Sequence, residues 1–136
     1  MKDDLFEVVF PGGKRVDVKV GAHVIRTDQP ASGGGGDTAP APFDLFLASI
    51  GACAGIYVVG FCGARGLSPE GIHILQRSTS DDSGRLRHVE LEIVVPTGFP
   101  EKYVEALARA AEQCKVKRTL ASPPDIFVRA HRQEAA

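Results

Sequence analysis

Three cysteines, Cys53, Cys62 and Cys114, are the residues in this 136-residue sequence with the most chemistry to offer. A thiolate is a nucleophile, a metal ligand or a redox centre, and its surroundings decide which by setting its pKa. No two of the three form a CxxC pair, and the set is odd and sparse. That argues against a zinc site of paired cysteines and against a secreted disulfide scaffold. Cys53 lies within an uncharged run, and Cys114 stands beside Lys115, Lys117 and Arg118. Residue chemistry alone leaves two readings for each: a small hydrophobe in a tight core, or a reactive thiol. Cys62 follows Cys53 by nine residues, which on a helix turns it about 180° to the opposite face, so Cys62 is read as packing.

Other chemical signatures are missing. Neither Pro11-Gly12-Gly13-Lys14-Arg15 nor the run Gly33–Gly36 ends in the GK[ST] of a phosphate-cradling loop. Leu47-Ala48-Ser49-Ile50-Gly51 lacks the first glycine of a nucleophile elbow. His23, His73, His88 and His131 are scattered without paired spacing and read as surface or rim residues rather than metal ligands.

The elements that must position the cysteines can be read from periodicity. Phe6, Val8 and Phe10 alternate along a half-buried strand that Pro11-Gly12-Gly13 closes. Val16, Val18 and Val20 give a second strand in a hairpin, and a short strand follows around His23–Arg26. Residues 29–42 form a Gly/Pro-rich loop. The run Leu45–Ala64 is twenty residues without a charge, long enough to cross a bilayer. Alanine, glycine and serine make up about half of it, which fits a helix buried on all sides better than a lipid-facing one. One chain of this length has little material to cover such a rod, which suggests an obligate dimer. A strand from Ile72 to about Thr79, a polar turn at Ser80–Gly84 and a strand through Val89, Leu91, Ile93 and Val95 follow. Pro100 opens a second helix with the stripe Tyr103, Leu107, Ala110 and Cys114, and Asp125–Arg129 reads as a last short strand. The expectation is one α+β domain over residues 1–136.

Composition narrows the partners. With 43% hydrophobic residues, 24% charged residues and a net charge of −1, the chain offers no broad cationic field for nucleic acid or an anionic membrane. The start, MKDDLFEVVF, places acids where a signal peptide carries positive charge, so the expected location is the cytoplasm.

The segment Pro40–Cys53, PAPFDLFLASIGAC, resembles the helix motif of the OsmC-like family, which includes osmotically induced protein C and the organic hydroperoxide resistance proteins. Gln113-Cys114-Lys115-Val116-Lys117-Arg118 resembles that family's second cysteine motif. The resemblance implies an OsmC-like fold of N-terminal strands, a long central helix, further antiparallel strands and a second helix, assembled as an intertwined homodimer. It implies a thiol peroxidase active against organic hydroperoxides in oxidative stress. Cys53 would be the peroxidatic thiolate and Cys114 the resolving thiol. An external dithiol would restore them, without metal, haem or flavin. The family's arginine from the N-terminal hairpin corresponds to Lys14 or Arg15, with Arg15 preferred for its planar fork. Phe43, Phe46 and Tyr57 would line an apolar substrate pocket. The peroxidase subgroups carry a glutamate directly after the motif's proline; here that residue is Phe43, followed by Asp44. This departure places the sequence nearer the less characterised OsmC-like branch. Two further readings are a dimeric binding protein for a small apolar ligand with an inert Cys53, and a redox sensor forming a Cys53–Cys114 disulfide.

Overall fold

A computed structural model describes residues 4–134, which fall into two compact units, Met1–Ser49 and Ile50–Ala136. The first unit is built on an antiparallel sheet of β1 (Glu7–Gly12), β2 (Arg15–Val20) and β3 (His23–Thr27), in the order β1-β2-β3. Val18 pairs with Val8 on one side and Ile25 on the other. A register shift between Val9 and Gly12 precedes the first turn, and β1 runs to Gly12 rather than stopping at Pro11. The expected half-buried face of β1 is not buried within the chain: Phe6, Val8 and Phe10 are all exposed. A three-stranded sheet with nothing laid across that face has no means of covering it.

The glycine-rich loop that follows is closed by one carboxylate. Asp28, itself buried, accepts from the Gln29 amide at 2.7 Å, the Thr38 amide at 3.0 Å and the Thr38 hydroxyl at 2.6 Å. Its own amide donates to the Pro40 carbonyl at 3.2 Å. These bonds hold the two ends of the loop together, and Thr38 above all holds the Asp28 carboxyl down at about 2. Gly35 is required for another reason: a Cβ there would lie 2.1 Å from the Gln29 carbonyl oxygen.

Helix α1 (Pro42–Ala64) starts with proline at its first position, where the missing amide costs nothing. Asp44 reaches back to accept from the Ala41 amide at 3.3 Å, the role expected of an acid in a first helical turn. In the second unit Ile50, Ala54, Val58, Phe61 and Cys62 form the buried stripe of α1. From Ala54 to Cys62 it packs with Phe99 and with Leu107 and Ala111 of α2 (Val104–Ala111). The hairpin of β4 (His73–Ser80) and β5 (Leu86–Val94) adds Ile74, Leu91 and Ile93 to this core, with Ile74 opposite Ile93. Cys62 is fully buried among these residues, in the packing role expected of it.

Within the single chain Ile56 and Val59 of α1 stay exposed, because an evenly apolar helix has more apolar faces than one unit can cover. Two expectations need correction. The second helix does not run through to Cys114. A 3₁₀ turn at Glu101–Tyr103 precedes α2, which ends at Ala111, and a third helix, α3 (Lys115–Ala121), follows. The expected strand at Asp125–Arg129 is irregular, with Ile126, Phe127 and Val128 almost fully exposed, since an extended segment becomes a strand only when another strand pairs with it.

Replacing Asp28 with asparagine should lower the urea midpoint at pH 6. Because folding depresses this pKa, the contribution of Asp28 is complete above about pH 4 and is lost as pH falls through about 2. The difference in midpoint between wild type and Asp28→Asn should therefore shrink as pH falls from about 4 through about 2, measured by urea titration at a series of acidic pH values.

Candidate active site

Cys114 decides where the third helix begins. Its φ of −59° and ψ of 140° turn the chain out of the helical path, and its sulfur accepts the Lys117 amide at 3.2 Å as an N-cap. The Cys114 carbonyl then takes the first intrahelical bond, from Arg118 at 3.1 Å. Sulfur is not among the usual capping atoms, so this helix start carries no Ser, Thr, Asp or Asn signal in the sequence.

Two amides remain at the start of α3, those of Lys115 and Val116, and both favour the thiolate of Cys53. Cys53 is half-buried on α1, eight residues short of the buried Phe61. Its pKa is lowered, first by the Val116 amide. Partial burial opposes this, while a hydrogen bond from the Cys114 side chain, the Lys115 amide and the charge of Arg118 add to it. The Cys114 side chain is thus one of the groups that favour the Cys53 thiolate, although the two cysteines are 61 positions apart in sequence.

Arg118 is the cation that sequence reasoning left without a role. One guanidinium nitrogen donates to the Tyr57 hydroxyl at 3.4 Å, and its charge acts on Cys53. Tyr57 follows Cys53 by four residues, one turn along the same face of α1. Cys53, Tyr57, Cys114 and Arg118 thus form one cluster in the second unit. The signal was present in the four-residue spacing from Cys114 to Arg118, but it reads correctly only when a helix starts at Cys114.

The remaining expected residues belong to the first unit. Arg15 is exposed and its guanidinium donates to the Gly12 and Pro11 carbonyls of its own hairpin, at 3.4 and 3.5 Å. Lys14 is exposed as well. Phe43 is 55% exposed and stacks at a tilt on the half-buried Phe46, with ring centroids 5.3 Å apart. His23, His73, His88 and His131 are exposed, as expected.

The profile of OsmC-like proteins matches residues 34–129, a span that holds all three helices and both clustered cysteines. The chain belongs to the OsmC-like family. Solved structures agree on the fold of this OsmC-like chain. A Psychrobacter arcticus 273-4 protein shares it with a TM-score of 0.73 at 20% identity, over 88% of each chain. The OsmC-like protein of Mycoplasma pneumoniae has a TM-score of 0.69 at 14% identity, over 90% of this chain and 89% of its own. An organic hydroperoxide resistance protein OsmC from Legionella pneumophila reaches 0.56 at 19% identity, over 88% and 90%. At such identities the likeness is one of fold. No curated protein sequence matches the chain.

Two substitutions separate the capping role of Cys114 from its thiol chemistry. Cys114→Ser keeps an N-cap acceptor and should leave stability within a few tenths of a kcal/mol, whereas Cys114→Ala should cost about 1 kcal/mol, both read by chemical denaturation. Arg118→Gln should raise the Cys53 pKa and slow its alkylation by iodoacetamide at pH 7 severalfold, followed by mass spectrometry across a pH series.

Proposed function

We propose that this chain is a thiol-dependent peroxidase that reduces organic hydroperoxides in the oxidative stress response. The observation that carries this reading is the environment of Cys53: two backbone amides, the Cys114 side chain and the Arg118 charge all favour its thiolate. An inert cysteine in a ligand-binding protein needs none of these, which is why that reading ranks second. The organic hydroperoxide resistance role in the name of the Legionella pneumophila neighbour supports the same chemistry.

In the first step the Cys53 thiolate attacks the distal oxygen of the hydroperoxide. An S–O bond forms as the O–O bond breaks, and the alkoxide leaves as an alcohol after taking a proton, with Arg118 and the α3 amides offsetting the charge. Cys53 is then a sulfenic acid. Attack by Cys114 on its sulfur forms an S–S bond and releases water. An external dithiol reduces this disulfide by two exchanges and becomes oxidised itself, so hydroperoxide plus dithiol yields alcohol, water and the dithiol's disulfide. Cys53 and Cys114 carry the first two steps and the external dithiol the third. Phe43, Phe46 and Tyr57 are proposed as the apolar contacts that favour organic over hydrogen peroxide, and Arg15 as a second cation contributed by the hairpin.

We further infer a cytoplasmic homodimer. The exposed Ile56 and Val59 of α1, the open face of β1 and the exposed Ile126, Phe127 and Val128 are the apolar surface that a second copy would cover.

The test is consumption of cumene hydroperoxide and hydrogen peroxide in the presence of dithiothreitol, comparing wild type with Cys53→Ser. The expected result is loss of cumene hydroperoxide at least about a hundredfold faster with wild type than with the variant, and slower turnover of hydrogen peroxide. Equal rates for both proteins would remove the peroxidase reading.

A further inference from the structure

The first chemical step needs a proton. Breaking the O–O bond releases an alkoxide, a strong base that departs as an alcohol only once it is protonated. Arg118 cannot supply that proton, because a guanidinium does not deprotonate in a protein. Cys114 is badly placed to do so, since it is fully buried and its side chain already hydrogen-bonds in favour of the Cys53 thiolate.

Tyr57 is the other proton-bearing side chain of the cluster, four residues after Cys53 on the same face of α1. Long side chains on a helix lean toward the preceding turn, which inclines a ring at position 57 toward residue 53. The polar end of that ring is held from another element: Arg118 of α3 donates through Nη2 to the phenol oxygen at 3.4 Å. The oxygen is therefore the acceptor in this bond, and its own hydrogen is turned elsewhere. That hydrogen has no acceptor among the described residues. Tyr57 is only half-buried, which leaves its hydroxyl open to a substrate. Cys53, Tyr57 and Arg118 all belong to the second unit of one chain, so the arrangement needs no residue from a second copy.

We propose that Tyr57 is the general acid of the first step, passing its phenolic hydrogen to the leaving oxygen as the O–O bond breaks. The hydroperoxide then lies along α1 with its O–O bond directed from Cys53 toward Tyr57. The electron pair of that bond goes to the leaving oxygen, which departs as the alcohol, and Cys53 becomes the sulfenic acid. Tyr57 is left as a phenolate that takes back a proton from water. A phenol is a far stronger acid than an alcohol, so the transfer runs downhill. A guanidinium donates to phenol and phenolate alike, so Arg118 holds the oxygen in place throughout. This role rests on the peroxidase reading and gives Tyr57 a polar task beside the apolar contact of its ring.

The leaving group separates proton donation from a structural role. Cumene hydroperoxide releases an alkoxide, which needs a proton, whereas perbenzoic acid releases a carboxylate, which needs none; both carry a phenyl ring. Single-turnover oxidation of the reduced full-length protein is followed as loss of the free Cys53 thiol by mass spectrometry. With cumene hydroperoxide, Tyr57→Phe should react about a hundredfold more slowly than wild type. With perbenzoic acid that deficit should be at least about tenfold smaller. The pH profile of Cys53 alkylation by iodoacetamide should be the same in both proteins, as it would not be if Tyr57 acted only by holding Arg118 near the thiolate. A second measurement needs no variant to fold: at a pH where Cys53 is ionised, heavy water should slow oxidation of wild type by cumene hydroperoxide and not by perbenzoic acid. Equal deficits with the two oxidants, no deficit with either, a shifted alkylation profile that accounts for the deficit, or no heavy-water effect would overturn the role of Tyr57 and leave the peroxidase standing. A wild type inert to cumene hydroperoxide would remove the peroxidase reading and this role with it.

Discussion

The start of α3 presents amides that the helix itself cannot satisfy, and they act on two cysteines. Cys114 takes the Lys117 amide, and the Val116 and Lys115 amides act on Cys53, lowering its pKa. A polar group left without a partner in a half-buried place is costly, so these bonds constrain where α3 sits. They also bind a seven-residue helix to α1, the longest element of the chain. The site is thus built by the same bonds that terminate one helix and begin another. Arg118 is brought to Tyr57 and Cys53 only because the helix starts at Cys114, one turn before it.

Much of this architecture was legible in the sequence. The β4–β5 hairpin, most of α1 and the packing role of Cys62 follow from local rules of period, turn chemistry and helix ends. The pairing of Cys53 with Cys114 rested on resemblance to known OsmC-like motifs rather than on any local rule. What stayed hidden depends on partners remote in sequence or on unusual donors and acceptors. The break before α3 was missed because the stripe from Tyr103 through Leu107 and Ala110 continues in phase to Cys114, and sulfur is a rare cap. The Asp28 clamp was missed because a lone aspartate before a glycine-rich loop looks like any turn residue until Thr38 is folded onto it. The segment Asp125–Arg129 has the composition of a strand, but composition cannot supply the neighbour that a strand requires.

The two units meet different demands. The first is a sheet and a clamped loop with little interior, in which Thr27 and Asp28 are the buried residues. The second carries a true apolar core, and there Cys53 and Tyr57 lie on α1 and Arg118 on α3, with Cys114 at the turn where α3 begins. Within the same unit Leu107 and Ala111 of α2 complete the core.

Cap and redox couple share the same atoms, so they are thermodynamically linked. The α3 amides are strongest as donors to a thiolate and weak as donors to a disulfide sulfur, which bears no charge. Stabilising the reduced dithiol in this way raises the reduction potential of the corresponding disulfide, at about 30 mV for each 1.4 kcal/mol. A Cys53–Cys114 disulfide would then be comparatively oxidising, and readily returned to the dithiol by a more reducing partner. Its formation would also loosen the first turn of α3. The oxidised protein would carry a record of its state in the fraying of one short helix, at the surface and within reach of another molecule.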